Sequence, residues 1–268
     1  MNSSTITIYT EDEIARLREG GAFLATILQT LKKETVVGVS TLDLNTRALA
    51  LCKEYDALPA FLNYTPEGAR RAFPGALCIS VNDEVVHGIP NEQPRTLKKG
   101  DVVVLDMGLI YKKMFTDSAI TLVVGGDQEN PTGARMIDVA TQALYAAIDM
   151  IKPGVRTGSV GHVIEETVKK SHNRTHKFSI PFELGGHGIG HTVHENPFMP
   201  NFGQKGTGPI LRAGMVLAIE PILTEKSSKI RLAKDGYTYV TSDKGLSVHV
   251  EHTIVVTNDG CEILTTTK

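Results

Sequence analysis

Apolar residues recur at close to helical spacing near the start of the chain: Ile14, Leu17, Phe23, Ile27 and Leu31. That spacing lines one face of an α-helix. Thr10, followed by Glu11, Asp12 and Glu13, supplies the start signal, a hydroxyl cap with acids in the first turn. GVST at 38–41 breaks the pattern and opens a second helix to about Tyr55. VVVLDMGLIY (102–111) and AITLVVG (119–125) are β-branched runs and predict strands. A long helix is predicted after Pro131 to about Ile151, KPGVRTGS (152–159) interrupts it, and another helix follows to about Lys170. From Ser179 onward, strand and turn signals dominate. No linker or low-complexity segment divides the chain, so the pattern predicts one mixed α and β domain, residues 1–268.

An internal repeat sharpens this picture. Gly38-Val39-Ser40-Thr41 before a helix matches Gly154-Val155-Arg156-Thr157 before a helix. His87-Gly88-Ile89 matches His187-Gly188-Ile189, and Gly100 leads to Asp106 as Gly214 leads to Glu220. Asp117 in DSAIT matches Glu251 in EHTIV. The order is the same both times, which predicts two similar halves (about 11–125 and 131–262) related by an approximate twofold axis. The acids should meet near that axis.

Asp is disfavoured in strands, yet Asp106 is in phase with Val102 and Val104. A carboxylate on an apolar strand face needs a partner or it takes up a proton. Asp106, Asp117, Glu220 and Glu251 have no matching run of Lys or Arg beside them in sequence. Two divalent cations would balance their charge, and one histidine would complete a five-ligand set. Oxygen-rich ligation with a single nitrogen suits Mn, Fe(II), Co or Zn at a hydrolytic site, not a thiolate-bound structural zinc.

GGHGIGHTVHENP (185–197) concentrates three of the nine histidines. In an extended chain His187, Ile189, His191 and Val193 share one face, with Gly188 and Gly190 opposite to permit close backbone approach. His194 then has the wrong parity unless a bulge re-aims it. The repeat makes His187 the preferred ligand, and His191 stands between a site role and a structural one.

Composition narrows the setting. A formal net charge of −2 gives no electrostatic footprint for nucleic acid or an anionic membrane. Lys32-Lys33 and Lys112-Lys113 read as solvated surface. Cys52, Cys78 and Cys261 make an odd count with no CxxC, which argues against a disulfide framework. MNSSTITIYT has neither a basic nor an apolar leader region, and no apolar run is long enough to span a bilayer. The expectation is a soluble protein of a reducing compartment, the cytoplasm.

SVNDEVVHGIP (80–90), LDMGLIYKKMFTDSA (105–119), GHGIGHTVHENP (186–197), AIEP (218–221) and VEHTIVVT (250–257) together resemble the type I methionine aminopeptidases of the pita-bread metallopeptidase superfamily. The resemblance covers nearly the whole chain. Type II members carry an insert between the equivalents of His187 and Glu220, for which this chain has no room. The resemblance implies an α+β pita-bread (creatinase/aminopeptidase) fold, an antiparallel sheet covered by helices. It implies that Asp106, Asp117, His187, Glu220 and Glu251 bind two divalent cations (Co2+, Mn2+, Fe2+ or Zn2+), with Asp117 and Glu251 bridging them. Glu220 would be the general base towards a water activated by the metals, and His87 and His194 would contact substrate at the scissile amide. Phe73, Cys78 and Tyr237 would wall the methionine pocket; Cys78 reads equally as a small core residue. The implied substrate is the N-terminal segment of a nascent protein with Met before a small residue. A monomer is implied, and ribosome docking is left open.

Val193 stands where many type I enzymes have Phe, Tyr237 where some have Trp, and Phe73 where Tyr is common. These departures bear on pocket width and leave the ligands alone. Two rival readings compete: an X-Pro peptidase of the same superfamily, and a metal-free relative that binds a protein or RNA. VVHGIP disfavours the first, and the presence of all five ligand candidates disfavours the second.

Overall fold

The computed structural model describes residues 5–66, 68–174 and 176–267; the start of the leader region read above, Met1 to Ser4, lies outside them. Helices α1 (Glu11–Glu34) and α2 (Thr41–Glu54) precede a short β1 (Leu58–Pro59) and the strands β2 (Cys78–Val81) and β3 (Glu84–Val86). The long strands β4 (Val102–Tyr111) and β5 (Met114–Val123) come next, then α3 (Pro131–Met150) and α4 (Thr157–Lys170). The rest is β: β6 (Gly185–Gly188), β7 (Glu195–Pro200), β8 (Val216–Ile219), β9 (Ile222–Thr224) and β10 (Ile230–Leu232). It finishes with β11 (Tyr239–Thr241), β12 (Ser247–His249), β13 (Glu251–Val256) and β14 (Cys261–Ile263).

Local chemistry sets the helix starts. Thr10 and Glu13 form a reciprocal capping box on α1, and Ser40 with Asp43 does the same for α2. Asn130 caps α3, with Pro131 in its first turn. Arg156 gives α4 no side-chain cap; instead Thr157 and Gly158 donate their N–H groups to the carbonyls of Pro209 and Thr207.

The repeated turns are built alike. Gly38 and Gly154 have φ of 92° and 91°, in the left-handed region that favours glycine. Gly38 N–H donates to Leu97 and Gly154 N–H to Leu211; Thr41 donates to Arg95 and Thr157 to Pro209. Further along, Gly100 N–H donates to Val124 and Gly214 N–H to Val256.

The main sheet runs β1-β4-β5-β13-β8-β6-β7, with β2 also on the edge of β4 and β14 on β13. Every pairing in it is antiparallel. One core gathers Leu24, Ile27, Leu31, Leu44 and Leu51 from α1 and α2 over Ile79, Val103, Leu105 and Met107. A second gathers Met136, Ala140, Leu144, Val160 and Ile164 from α3 and α4 over Leu217, Ile219 and Ile254. Each covers one side of the β5–β13 seam and leaves the sheet's other face free for chemistry.

β5 begins five residues before the predicted strand start, at Met114. Lys112 and Lys113 both take left-handed φ, 46° and 65°, and make a two-residue hairpin turn. They are a turn as well as surface, and Asp117 therefore lies inside a strand instead of opening one. Cys52, Cys78 and Cys261 are free thiols. Among the described residues no helix is long and apolar enough to cross a membrane.

Candidate active site

Strand register alone brings the acids together. Cys78 pairs with Asp106, Asp106 with Ala119, and Ala119 with Glu251. Directly paired residues point to the same face of a sheet, as do residues two apart on one strand. Asp117, opposite Gly108, therefore shares that face. His252 pairs with Ile219, which sets Glu251 beside Glu220 at the end of β8. His187 pairs with Ala218, two residues before Glu220, and joins the same face.

The resulting cavity is lined by Asp106, Asp117, His187, Glu220 and Glu251, by His87 and His194, and by Phe73, Cys78 and Tyr237. The structure thus collects every proposed ligand, substrate-contact and pocket-wall residue named above into one pocket, and leaves His191 out of it. It adds Phe61, Tyr64, Pro66, Val86 and His249, which the sequence reading missed.

Donor atoms of Asp117, His187 and Glu251 lie within 4.8 Å of one another. Asp106, Asp117 and Glu251 are buried. Asp117 Oδ1 and Glu251 Oε1 have no hydrogen-bond partner. Burial, with the neighbouring acids adding to it, pushes the pKa of Asp117 and Glu251 well above the carboxylate range. Burial likewise lifts Asp106 to about 7, His249 opposing and Glu220 assisting. Orphaned oxygens and crowded carboxylates in a dry pocket call for positive charge. The donor set therefore fits a divalent cation.

Glu220 behaves differently. Burial again favours its neutral form, but His249, His187 and His194 outweigh it and its pKa is lowered. His187 Nε2 is 3.7 Å from Glu220 Oε1. His187 Nδ1 lies 3.0 Å from its neighbour's carbonyl, Gly188 O. A proton on Nδ1 makes that hydrogen bond and frees the Nε2 lone pair for a metal.

The structure corrects two readings of the histidines. Residues 189–194 are bent, not extended. His191 turns outward, its Nε2 2.8 Å from Glu13 Oε1, and takes no part in the cavity. His194 returns to the site, its ring 4.5 Å from that of His187. Its outer side is exposed, but burial of its ring, and then the charge of neighbouring His187, lower its pKa. Close packing enforces the bend: a Cβ on Gly188 would sit 2.2 Å from Asn196 O, and one on Gly190 would enter the Tyr9 ring.

The second correction concerns the repeat. Val104, which pairs with Ser80, and Ala218, which pairs with His187, stand two residues before Asp106 and Glu220. Register therefore matches His187 with Ser80, not with His87. His87 and His194, each seven residues further on, are the matched pair. Ser80 Oγ accepts from Gly88 N–H at 3.2 Å, so the position that holds a ligand histidine in one half holds a structural hydroxyl in the other.

The apolar end of the cavity is aromatic. Phe73 and Tyr237 meet edge to face at 5.2 Å, and the Tyr237 hydroxyl donates to Arg71 O. Phe61 packs over Gly108, where a Cβ would come within 2.8 Å of its ring. Cys78 is both a core residue and a wall of the cavity, and burial pushes its thiol pKa well up. Tyr64 Oη lies 3.1 Å from His194 Nδ1.

The profile of metallopeptidase family M24 matches residues 15–258. A methionine aminopeptidase of Mycoplasma capricolum is 39% identical over 263 residues, 98% of this chain and 99% of that protein. The crystal structure of a methionine aminopeptidase from Thermotoga maritima superposes with a TM-score of 0.90 at 38% identity, covering 98% of this chain and 100% of that one. A Pyrococcus furiosus prolidase shares the fold at 22% identity, with a TM-score of 0.74 over 97% of this chain and 66% of that one. These likenesses give the chain the α+β pita-bread architecture expected above.

Proposed function

The chain belongs to metallopeptidase family M24, and from that membership we propose how its pocket residues divide the work of a metal-dependent methionine aminopeptidase. It removes the N-terminal methionine from peptides and nascent proteins whose second residue is small. The observation that carries this reading is one cavity with a carboxylate-and-histidine floor and a Phe61, Phe73 and Tyr237 wall. The floor uses divalent metal. In our reading Asp106, Asp117, His187, Glu220 and Glu251 would hold two ions, drawn from Co2+, Mn2+, Fe2+ and Zn2+, with Asp117 and Glu251 shared between them. Bound there, such ions lower the pKa of a water and polarise the scissile carbonyl.

The remaining steps fall to the protein. Glu220, held ionised by its histidine neighbours, accepts the proton of the attacking water. His194 and His87, at the cavity edge, stabilise charge developing on the carbonyl oxygen and assist the departing amine. The aromatic wall takes the methionine side chain, where sulfur–ring contacts contribute about 0.3–1.5 kcal/mol beyond burial. Both halves of a single catalytic domain supply ligands, and the enzyme acts on nascent chains as a cytoplasmic monomer.

The test is chelation followed by assay on Met-Ala-Ser and on an Xaa-Pro peptide, with Mn, Fe(II), Co and Zn restored in turn. Release of Met that depends on metal and is lost in Asp106→Ala and Glu220→Ala is expected. Cleavage of the Xaa-Pro peptide alone would overturn the substrate, and full activity after chelation would overturn the metal site.

A further inference from the structure

His249 is a buried imidazole in the cavity wall to which the division of work above gives no task. It is 2% exposed, and neither ring nitrogen makes a well-formed hydrogen bond among the described residues. A buried polar group left this way is costly. Its Nε2 stands 3.3 Å from Glu220 Oε2 and 3.7 Å from Glu251 Oε2. The ring cannot swing away easily. Its residue ends β12, paired with Ile222 of β9. Its N–H donates to Thr121 Oγ1 at 3.2 Å, and the same hydroxyl donates back to its carbonyl. It precedes Glu251 by two residues in nearly continuous extended chain, which aims both side chains at the same cavity.

We propose that His249 is a positioning residue whose Nε2–H donates to Glu220 Oε2, fixing the plane of that carboxylate and leaving Oε1 on the side of His187. The inference rests on the reading of Glu220 as ligand and base. Both carboxylate oxygens facing Nε2 can only accept when ionised, so a proton on Nε2 satisfies the contact directly. Glu220 is held from its main chain as well, since Asn201 Nδ2 donates to Glu220 O at 2.8 Å. Backbone and side chain are thereby anchored separately, one by an amide and one by an imidazole. Loss of such an outer partner costs about tenfold to a hundredfold in metal affinity or activity.

The experiment compares Co(II)-loaded wild type with His249→Gln, which keeps an N–H donor, and His249→Leu, which does not. Co(II) affinity is measured by calorimetry, turnover on Met-Ala-Ser, and imidazole ligation by X-ray absorption. Expected are one metal-bound imidazole per chain in all three proteins and a loss of about tenfold to a hundredfold in Co(II) affinity and kcat in the Leu variant. KM should hold, and the Gln variant should recover most of the loss. A second metal-bound imidazole that disappears in either variant would make His249 a ligand and overturn the proposal. So would a Leu variant that binds Co(II) and turns over like wild type. Should the Leu variant not fold, His249→Met, unbranched and without a donor, decides by the same criteria. Glu220→Gln is run alongside: unchanged Co(II) affinity and turnover there would remove the reading of Glu220 itself, a failure distinct from that of His249.

Discussion

In the metal-free protein Asp106 should cost the fold stability as pH rises from about 4 to about 7. Burial raises its pKa from 3.8 to about 7, while the unfolded chain keeps an ordinary carboxylate. Between those values the native state holds a proton that the unfolded state has lost. The slope of unfolding free energy with pH follows bound protons in the unfolded minus the native state, so it is negative here. Roughly three pH units at about 1.36 kcal/mol each give on the order of 4 kcal/mol for Asp106 alone. Asp117 and Glu251 are raised by burial and by their acidic neighbours, and add in the same direction. Glu220 is lowered, so its stabilisation is present above its unfolded pKa and lost only as pH falls through its folded value. The lowered histidines His87, His194 and His252 take up protons only in the unfolded chain and so oppose this slope below about pH 6.5; comparison with Asp106→Asn isolates the share of Asp106. Metal binding requires the carboxylates ionised, so the gap between loaded and chelated protein should widen with pH. The chain lacks tryptophan, so urea unfolding of the chelated protein is followed by far-UV circular dichroism at pH 5 and 7.5. Asp106→Asn should remove the fall in stability that Asp106 adds over this range, making the chelated variant gain more stability, or lose less, than the parent between pH 5 and 7.5. An Asn variant with the parent's slope would refute the electrostatic account of Asp106.

Two further outcomes follow from packing and hydrogen bonding. Gly188→Ala places a methyl 2.2 Å from Asn196 O; it should cost about 3 kcal/mol in urea unfolding and abolish calorimetric Co(II) binding, whereas a variant of parental stability would show that β6 and β7 can separate freely. Tyr64→Phe keeps the ring and removes the hydroxyl 3.1 Å from His194 Nδ1; kcat/KM on Met-Ala-Ser should fall about fivefold to tenfold, the worth of one hydrogen bond, with Co(II) affinity unchanged, and an unaltered rate would detach Tyr64 from His194.

What was legible in the sequence was what is local or repeated. Thr10 and Glu13 announce α1 because a capping box is complete within four residues. Gly38 and Gly154 could be matched because one backbone geometry demands the same residue twice. The start of β5 was missed because Lys112 and Lys113 make a turn that Asn-Gly ordinarily makes, and nothing in a lysine pair signals left-handed φ. The path from His187 to His194 was misread because alternation assumes an extended chain, while Tyr9 and Asn196, which close on Gly190 and Gly188, are brought in by tertiary packing. Phe61 and Tyr64 lie in the connection after β1, where no period applies. His249 carried a usable signal, two positions before Glu251 in a strand-like run, but it lies outside the repeat.

That last point bears on why a symmetric scaffold performs asymmetric chemistry. Asp106 within β4 and Glu220 just past β8 occupy matched positions, yet burial raises one pKa while the surroundings lower the other. The backbone does not distinguish them, because both strands pair outward to a short strand in the same register. The difference lies in what that neighbour carries. Beside Asp106 the outer strand offers Cys78 and Ser80, a thiol and a hydroxyl already engaged with Gly88. Beside Glu220 stand His187, His194 and His249. A carboxylate among imidazoles remains ionised in a buried pocket, whereas one among neutral groups waits for a cation. The further imidazoles of the second half, His187 and His249, therefore keep Glu220 ionised where Asp106 takes up a proton.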